Sequence, residues 1–443
     1  MNLRSTNQQS PSVAFSRGIL NGLARDGGLY MPERLMRIPQ AFFRNIQEMT
    51  LHDVAFVVLN SLLGDEIQPA LLKTIVKEAV SYDVPLVRLT DGQYLLEMYD
   101  GPSHSFKDLG ARVMAALTRY LAPASEAAPR TVILATTGDS AAAVAQAFAG
   151  APHTRVVVLY PKDDLNPAQI AQFADMPGVK SVEVDGTFDQ CQAIVKEALK
   201  ADAQRVAASG GDYRLTSGNS INLARELPAV IYFFHAYARA KAAVGEHKAS
   251  EIVISIPCGN LGTLTAALIA KQLGLPVKRF IAANNANDVF VEYLKTGGFR
   301  PRQALETLAR AMDVGNPSNI ARIISLYDGN LERLRADVTG YSYTDAEIAE
   351  TMKECANDYG IPVDPQGALA VRAMERHLED GETGVALATV HPWKFRETIA
   401  EVTGISPQPP VGMKAERVRI HTKPVKIPPT IEALRRVLAS LQS

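Results

Sequence analysis

The feature that most constrains this chain is a repeated alternation of short β-branched runs with helical stretches, which begins at Thr131. TVILATT leads through a glycine turn into AAAVAQAFAG. RVVVLYP (155–161) leads into a helical stretch from Pro167 to Phe173, and SVEVDG (181–186) into another from Gln190 to Lys200. The pattern returns at EIVISIP (251–257) with the helix LTAALIAKQLG, continues through VKRFIAANN, and ends with a late strand, VALATV (385–390). Strands separated by helices at this spacing are parallel βαβ units. The fold class is therefore α/β, and roughly 126–204 reads as a compact subdomain. Residues before about 85 read as mostly helical after an irregular start, with Gly22 to Pro32 a loop.

Length and composition narrow the function. A chain of 443 residues suggests two or three domains and buries a large core without staples. A formal net charge of −1 disfavours nucleic acid as a partner. Cys191, Cys258 and Cys355 are too far apart for a disulfide scaffold or a zinc site and read as reduced thiols in a cytoplasmic protein. The polar start MNLRSTNQQSPS lacks the apolar stretch of a signal peptide, and no apolar run reaches the ~18 residues of a membrane span.

Four segments can carry chemistry, and each has a plainer reading. PCGNLGT, Pro257 to Thr263, joins a strand to a helix and is either an anion cradle of backbone N–H groups or a tight turn. TTGDSAAA, Thr136 to Ala143, makes the same junction, and its small side chains suit either a docked carboxylate or phosphate or close helix–sheet packing. In TSGNSINLAREL, Asn219, Asn222 and Arg225 fall on one face of a helical turn. Arg225 has the fork for a phosphate, but an N-cap and a solvated helix start explain the cluster equally. In GPSHSFKDLGARVM, Lys107 stands where a loop enters a helix. It is either a surface lysine or, if desolvated, a Schiff-base lysine.

Taken together and in this order, the motifs resemble those of the threonine synthases. GLARDGGLYMPE (22–33) is similar to GLAPDGGLYVPE, GPSHSFKD to GPTLAFKD, and LATTGDSAAAV to ATSGDTGGAA. LYPKDDLNPAQIAQ (159–172) is similar to LYPKGGVSPVQEAQ, SGNSINLARELP to SVNSINWARILP, IPCGNLGT to VPTGNFGN, and ANNANDV (283–289) to ATNENDV. AMDVGNPSNIARI (311–323), DPQGALA (364–370) and LATVHPWKF (387–395) extend the resemblance beyond residue 400 when the flanking sequence is included.

The resemblance implies the type II fold of pyridoxal-phosphate enzymes. That fold would comprise a mainly helical N-terminal domain (1–85), a large cofactor-binding α/β domain (86–125 and 205–425), a small mobile α/β domain (126–204) and a C-terminal helix (426–443). It implies pyridoxal 5′-phosphate on Lys107 as a Schiff base, with Gly259, Asn260, Leu261, Gly262 and Thr263 around the cofactor phosphate and Thr389 near the pyridine nitrogen. Thr137, Gly138, Asp139 and Ser140 would hold the substrate carboxylate, and Asn219, Ser220, Asn222 and Arg225 would lie toward the substrate phosphate. The implied reaction is the conversion of O-phosphohomoserine and water to L-threonine and phosphate in a cytoplasmic monomer or homodimer without nucleic-acid or membrane partners.

Some positions depart from the family pattern. Ser140-Ala141-Ala142 replaces Thr-Gly-Gly, Asp163 replaces a glycine, Gln366-Gly367 replaces His-Thr, Trp393 replaces a small residue, and His104 an apolar one. These departures leave open a divergent pyridoxal-phosphate lyase acting on a related phospho-amino acid. Lys107 argues against a non-catalytic relative, and the absence of a G-x-G-x-x-G fingerprint argues against a nicotinamide oxidoreductase. Asp163 is expected to face solvent.

Overall fold

A computed structural model describes residues 1–121, 129–136, 138–162, 164–209, 215–410 and 420–441. The strands are short and largely buried, as in IVISIP, where every residue of Ile252–Pro257 is buried. Such strands need cover on both faces, which is the situation of a parallel sheet flanked by helices. Several helices begin where side chains satisfy their free N–H groups. Thr50 and Asp53 form a reciprocal capping box for Leu51–Leu63, and Asn166, with Pro167 behind it, caps Pro167–Ala171.

Two parallel-rich sheets organise the chain. The six-stranded sheet runs edge to edge as Val338–Ser342, Arg279–Asn284, Ile252–Pro257, Thr383–Ala388, Gln93–Glu97 and Leu86–Thr90, with only the last pairing antiparallel. The five-stranded sheet runs Val425–Ile427, Val179–Val184, Thr154–Pro161, Arg130–Ala135 and Leu215–Ser217, all parallel.

Sheet membership differs from the expected boundaries in two places. Leu215–Ser217, expected in the large domain, and Val425–Ile427, expected where that domain passes into the C-terminal helix, are hydrogen-bonded edge strands of the small sheet. The C-terminal helix Ile431–Ser440 packs on Phe188–Ser209, and its Ile431, Leu434 and Val437 join Val182, Ile194 and Leu199 in one apolar cluster. Burial of that amphipathic face ties the end of the chain to the small sheet. The irregular start of the mostly helical N-terminal segment contains three short strands. Asn2–Ser5 pairs antiparallel with Val13–Ala14 and with Tyr30–Pro32, so the expected Gly22–Pro32 loop ends in a strand.

The carboxyl ends of strands in both sheets open on one cavity of about 200 Å³. Ala135 and Ser217 lead into it from the small sheet, and Pro257 and Ala388 from the large one. Open α/β sheets bind ligands at that end because the loops there carry free backbone groups and adjacent helix N-termini.

Candidate active site

Lys107 opens the helix Lys107–Leu121 and lines the cavity. The loop before it is anchored on both sides. The Phe106 N–H donates to the Thr389 carbonyl at 2.8 Å, and Ser105 bridges to Val390. The Ser103 N–H donates to the Asp108 carboxylate at 2.8 Å. His104 takes a left-handed φ of 56° to make the turn. Burial lowers the Lys107 ammonium from its ordinary value; Asp139, whose Oδ2 lies 3.9 Å from Nζ, opposes this, while Arg225 and Lys394 add to it. A lysine of that kind is readily held uncharged, the form in which its nitrogen is a nucleophile and a base.

The glycine loop faces it. Leu261 adopts φ 60°, a left-handed conformation that costs a non-glycine residue about 1–2 kcal/mol. The turn leads directly into Gly262–Gln272, whose first helical bond is Thr265 N–H to the Leu261 carbonyl. Among the described residues nothing accepts from the N–H groups of Gly262, Thr263 and Leu264 at the helix start, where the helix dipole favours an anion. Gly259, Asn260, Leu261, Gly262 and Thr263 all line the cavity. On its far side the Thr389 hydroxyl, in a residue 2 % exposed, has no hydrogen-bond partner in the described structure. A buried hydroxyl without a partner costs free energy unless a ligand completes it. The residues present therefore fit pyridoxal phosphate: a desolvated lysine, a helix start for its phosphate, and an orphaned hydroxyl.

The segment Asn219 to Arg225 divides into scaffold and site. Asn222 is fully buried, accepts from the Ala224 N–H at 2.9 Å and donates to the Ile19 carbonyl at 3.0 Å. Its groups are spent within the protein and it does not line the cavity, so its place is that of an N-cap rather than a ligand contact. Asn219 lines the cavity, but its amide is clamped to both backbone groups of Ala135, at 2.9 and 3.2 Å. Ser220 Oγ accepts from Asn260 Nδ2 at 3.2 Å and from Asn319 Nδ2 at 3.1 Å, which leaves its proton to donate. Arg225 is 7 % exposed, lines the cavity and has a buried Nε without a partner; among the described residues its side chain forms no hydrogen bond or ion pair. Gly110 gives it room, because a Cβ there would come within 2.4 Å of Arg225 Nη1. A buried guanidinium with nothing to bind is a strong anion receptor.

On the small-sheet side, Ser140 lines the cavity at the start of Asp139–Phe148, and Gly138 turns the chain with φ 133°. The Asp139 side chain points to lysines. Lys394 Nζ lies 2.7 Å from its Oδ1 and Lys107 Nζ 3.9 Å from its Oδ2. A carboxylate so placed cannot itself hold a substrate carboxylate; the backbone N–H groups of the helix start can. Thr137 and Asp163 lie outside the described residues. Ala141 and Ala142 are buried, so the two methyl groups that depart from the family pattern enter the core and not the cavity.

Sequence reasoning gave no role to Lys394, Asn319 or Arg322. Lys394 and Asp139 are 255 positions apart, and nothing local in HPWKF marks the pairing. Asn319 and the fully buried Arg322 brace the Ser220 loop, with Arg322 donating to the Ser220 and Ile221 carbonyls. The polar cluster SNIAR ahead of a helix was the available signal. Among the described residues no cluster of metal-ligating side chains occurs, and no helix is long and apolar enough to cross a membrane. The three cysteines are buried and unpaired.

Fold and site together define a pyridoxal-phosphate-dependent enzyme, and the pyridoxal-phosphate dependent enzyme family matches residues 84–390. The family described as threonine synthase N terminus matches residues 2–80. The threonine synthase of Haemophilus influenzae is 38 % identical over 406 residues, covering 91 % of this chain and 92 % of that one. That of Escherichia coli is 36 % identical over 446 residues, covering 100 % and 99 %. Among solved structures, Escherichia coli threonine synthase superposes with a TM-score of 0.90 at 33 % identity over 100 % of both chains. Threonine synthase of Brucella melitensis with pyridoxal phosphate bound superposes with a TM-score of 0.87 at 26 % identity, covering 100 % and 99 %. The chain belongs to the threonine synthase family, with the type II fold and pyridoxal 5′-phosphate as its cofactor.

Proposed function

We propose that the chain converts O-phosphohomoserine and water to L-threonine and phosphate, with the cofactor on Lys107. The observation that carries this reading is the pair of anion-ready groups around one desolvated lysine: free N–H groups at Gly262 to Leu264 and the unpartnered guanidinium of Arg225. A phosphorylated cofactor and a phosphorylated substrate together need two such sites.

Gly259, Asn260, Leu261, Gly262 and Thr263 would hold the cofactor phosphate, and Thr389 would meet the pyridine nitrogen. Bound there, pyridoxal phosphate supplies an electron sink that acidifies the protons next to the amino-acid carbon. Lys107 Nζ, giving up each proton before it takes the next, would remove the protons at Cα and, as the Cγ–O bond breaks, at Cβ, and return protons at Cγ and Cα, while the spare proton of the added water goes with the phosphate. Water supplies the hydroxyl at Cβ. Arg225 and Ser220 would receive the leaving phosphate, with Asn219 holding that loop against Ala135. Ser140 and the backbone of Thr137, Gly138 and Asp139 would take the substrate carboxylate, while Lys394 keeps the Asp139 side chain aside. Positioning of this sort supplies much of an enzyme's advantage.

The burial of Ala141 and Ala142 favours this substrate over a related phospho-amino acid, because these two departures from the family pattern add nothing to the cavity wall. On this reading the chain acts on small molecules in the cytoplasm as a monomer or homodimer without nucleic-acid or membrane partners, and a net charge of −1 gives no basic field for nucleic acid. Product analysis tests the reading. Purified holoenzyme given O-phosphohomoserine should release threonine and phosphate in equal amounts. Phosphate without threonine, or no turnover at all, would sink it.

A further inference from the structure

The helix that carries Arg225 also brings in a carboxylate that this chemistry leaves unused. Glu226 ends Leu223–Glu226, lines the cavity and is 6 % exposed. Its side chain stands against the start of Gly262–Gln272. A Cβ on residue 262 would lie 2.6 Å from Glu226 Oε2 and 2.9 Å from Oε1, so the glycine is what admits it. The resembled motif SVNSINWARILP has isoleucine at this position. A carboxylate at the proposed phosphate seat is therefore a property of this chain's own sequence.

The surroundings of Glu226 are cationic but not hydrogen-bonding. Among the described residues nothing donates a hydrogen bond to its carboxylate. The charged groups acting on it are Arg322, from Ile320–Leu326, and Arg225, from its own helix. Arg322 is engaged elsewhere, by the carbonyls of Tyr30, Ser220 and Ile221 and by Asn319 Oδ1. From the helix opposite, Lys107 and Asp108 act on Arg225. Burial raises the Glu226 carboxyl above its ordinary value, and the two arginines oppose the rise.

We propose that Glu226 is a positioning residue of the cofactor-phosphate seat that takes up a proton when a phosphate dianion settles on the N–H groups of Gly262 to Leu264, and then donates its O–H to a phosphate oxygen. The proton comes from solvent, the carboxylate becomes a neutral acid, and no other bond changes. Two anions in contact inside a buried cavity cannot both stay charged, and the carboxylate is the one that can turn from repelling acceptor to donor. This rests on the placement of the cofactor phosphate given above.

Linkage makes it measurable. A group whose proton affinity rises on binding weakens that binding as pH climbs past its value in the free protein, by up to about tenfold per pH unit. The probe is 4-deoxypyridoxine 5′-phosphate, which has no aldehyde to bond with Lys107. Cofactor-free wild type and Glu226→Gln are titrated with it from about pH 6 to pH 9. The probe's own titration is common to both proteins and cancels in the ratio of their Kd values. That ratio, wild type over variant, should grow by about tenfold or more across the range. Wild type should also take up more protons per bound probe than the variant, read by calorimetry in two buffers of different protonation enthalpy. A ratio that stays constant with pH overturns the inference and leaves the seat standing. Failure of the probe to bind either protein overturns the seat itself, and the inference with it. Should Glu226→Gln not fold, Glu226→Ile carries the same comparison, since it too removes the titrating group.

Discussion

The two walls of the cavity are built differently. The large-sheet wall is built from backbone: the Leu261 turn, the free helix start after it, and the Lys107 loop stitched to Thr389 and Val390. The small-sheet wall touches the other through charge, with Asp139 held by Lys394 and facing Lys107. The first arrangement suits a group that stays bound through every turnover. The second suits one that must enter and leave. The contrast teaches that cofactor anchoring and substrate grip are separable.

Breaking the anchoring wall should have the largest effect. Lys107→Ala removes a lysine that both lines the cofactor seat and faces Asp139, and turnover should fall by roughly 10³-fold or more in a steady-state assay, since positioned acid–base groups contribute about 10²–10⁴-fold alone. Far-UV circular dichroism should be unchanged. Survival of more than a tenth of the activity would break the comparison.

Arg225→Ala probes the gripping side. A hydrogen bond to a charged group contributes roughly 1.5–3 kcal/mol, so kcat/KM should drop about 10- to 150-fold while cofactor affinity barely moves. Loss of cofactor with substrate affinity retained would mean that the two anion sites have been exchanged.

How much of this was legible in the sequence follows from the same contrast. PCGNLGT and GPSHSFKD are contiguous, and their turn geometry is fixed by neighbours in the chain, so Lys107, Gly259 to Thr263 and the strand–helix alternation could be placed from local pattern. Lys394 could not, because its partner is 255 positions away. Nor could the edge strands Leu215–Ser217 and Val425–Ile427, since three residues carry too little alternation to signal a strand. The resemblance places Asn222 toward the substrate phosphate and its spacing with Arg225 allows either that or a cap, but its amide goes to the helix start and to Ile19. Spacing alone does not separate a cap from a ligand contact.

The tether between the walls gives a smaller effect. Lys394→Met and Asp139→Leu should each lower stability in denaturant unfolding, because each strands one partner of a largely buried pair. The double variant should recover part of the loss, with a coupling energy of about 1–3 kcal/mol. Additive losses would show that the tether contributes nothing.

A still smaller effect lies just behind it. Asp364 caps Pro365–His377 and is buried; its carboxyl is pushed up to about 7, chiefly by burial, with Asp139 among the lesser causes. An unfolded aspartate titrates near 3.9, so this group's contribution favours the folded state at low pH and is lost as pH rises through about 7. Asp364→Asn should therefore gain on the wild type by about 2–3 kcal/mol between pH 5 and pH 8 in unfolding free energy. A difference that does not vary with pH would place the charge cost elsewhere.

The most direct measurement is reduction of the holoenzyme with borohydride followed by peptide mapping. The account predicts the pyridoxyl group on the peptide that contains Lys107, at one per chain, and none on Lys394. Label on Lys394 or any other lysine, or a purified protein that takes up no cofactor, would contradict it.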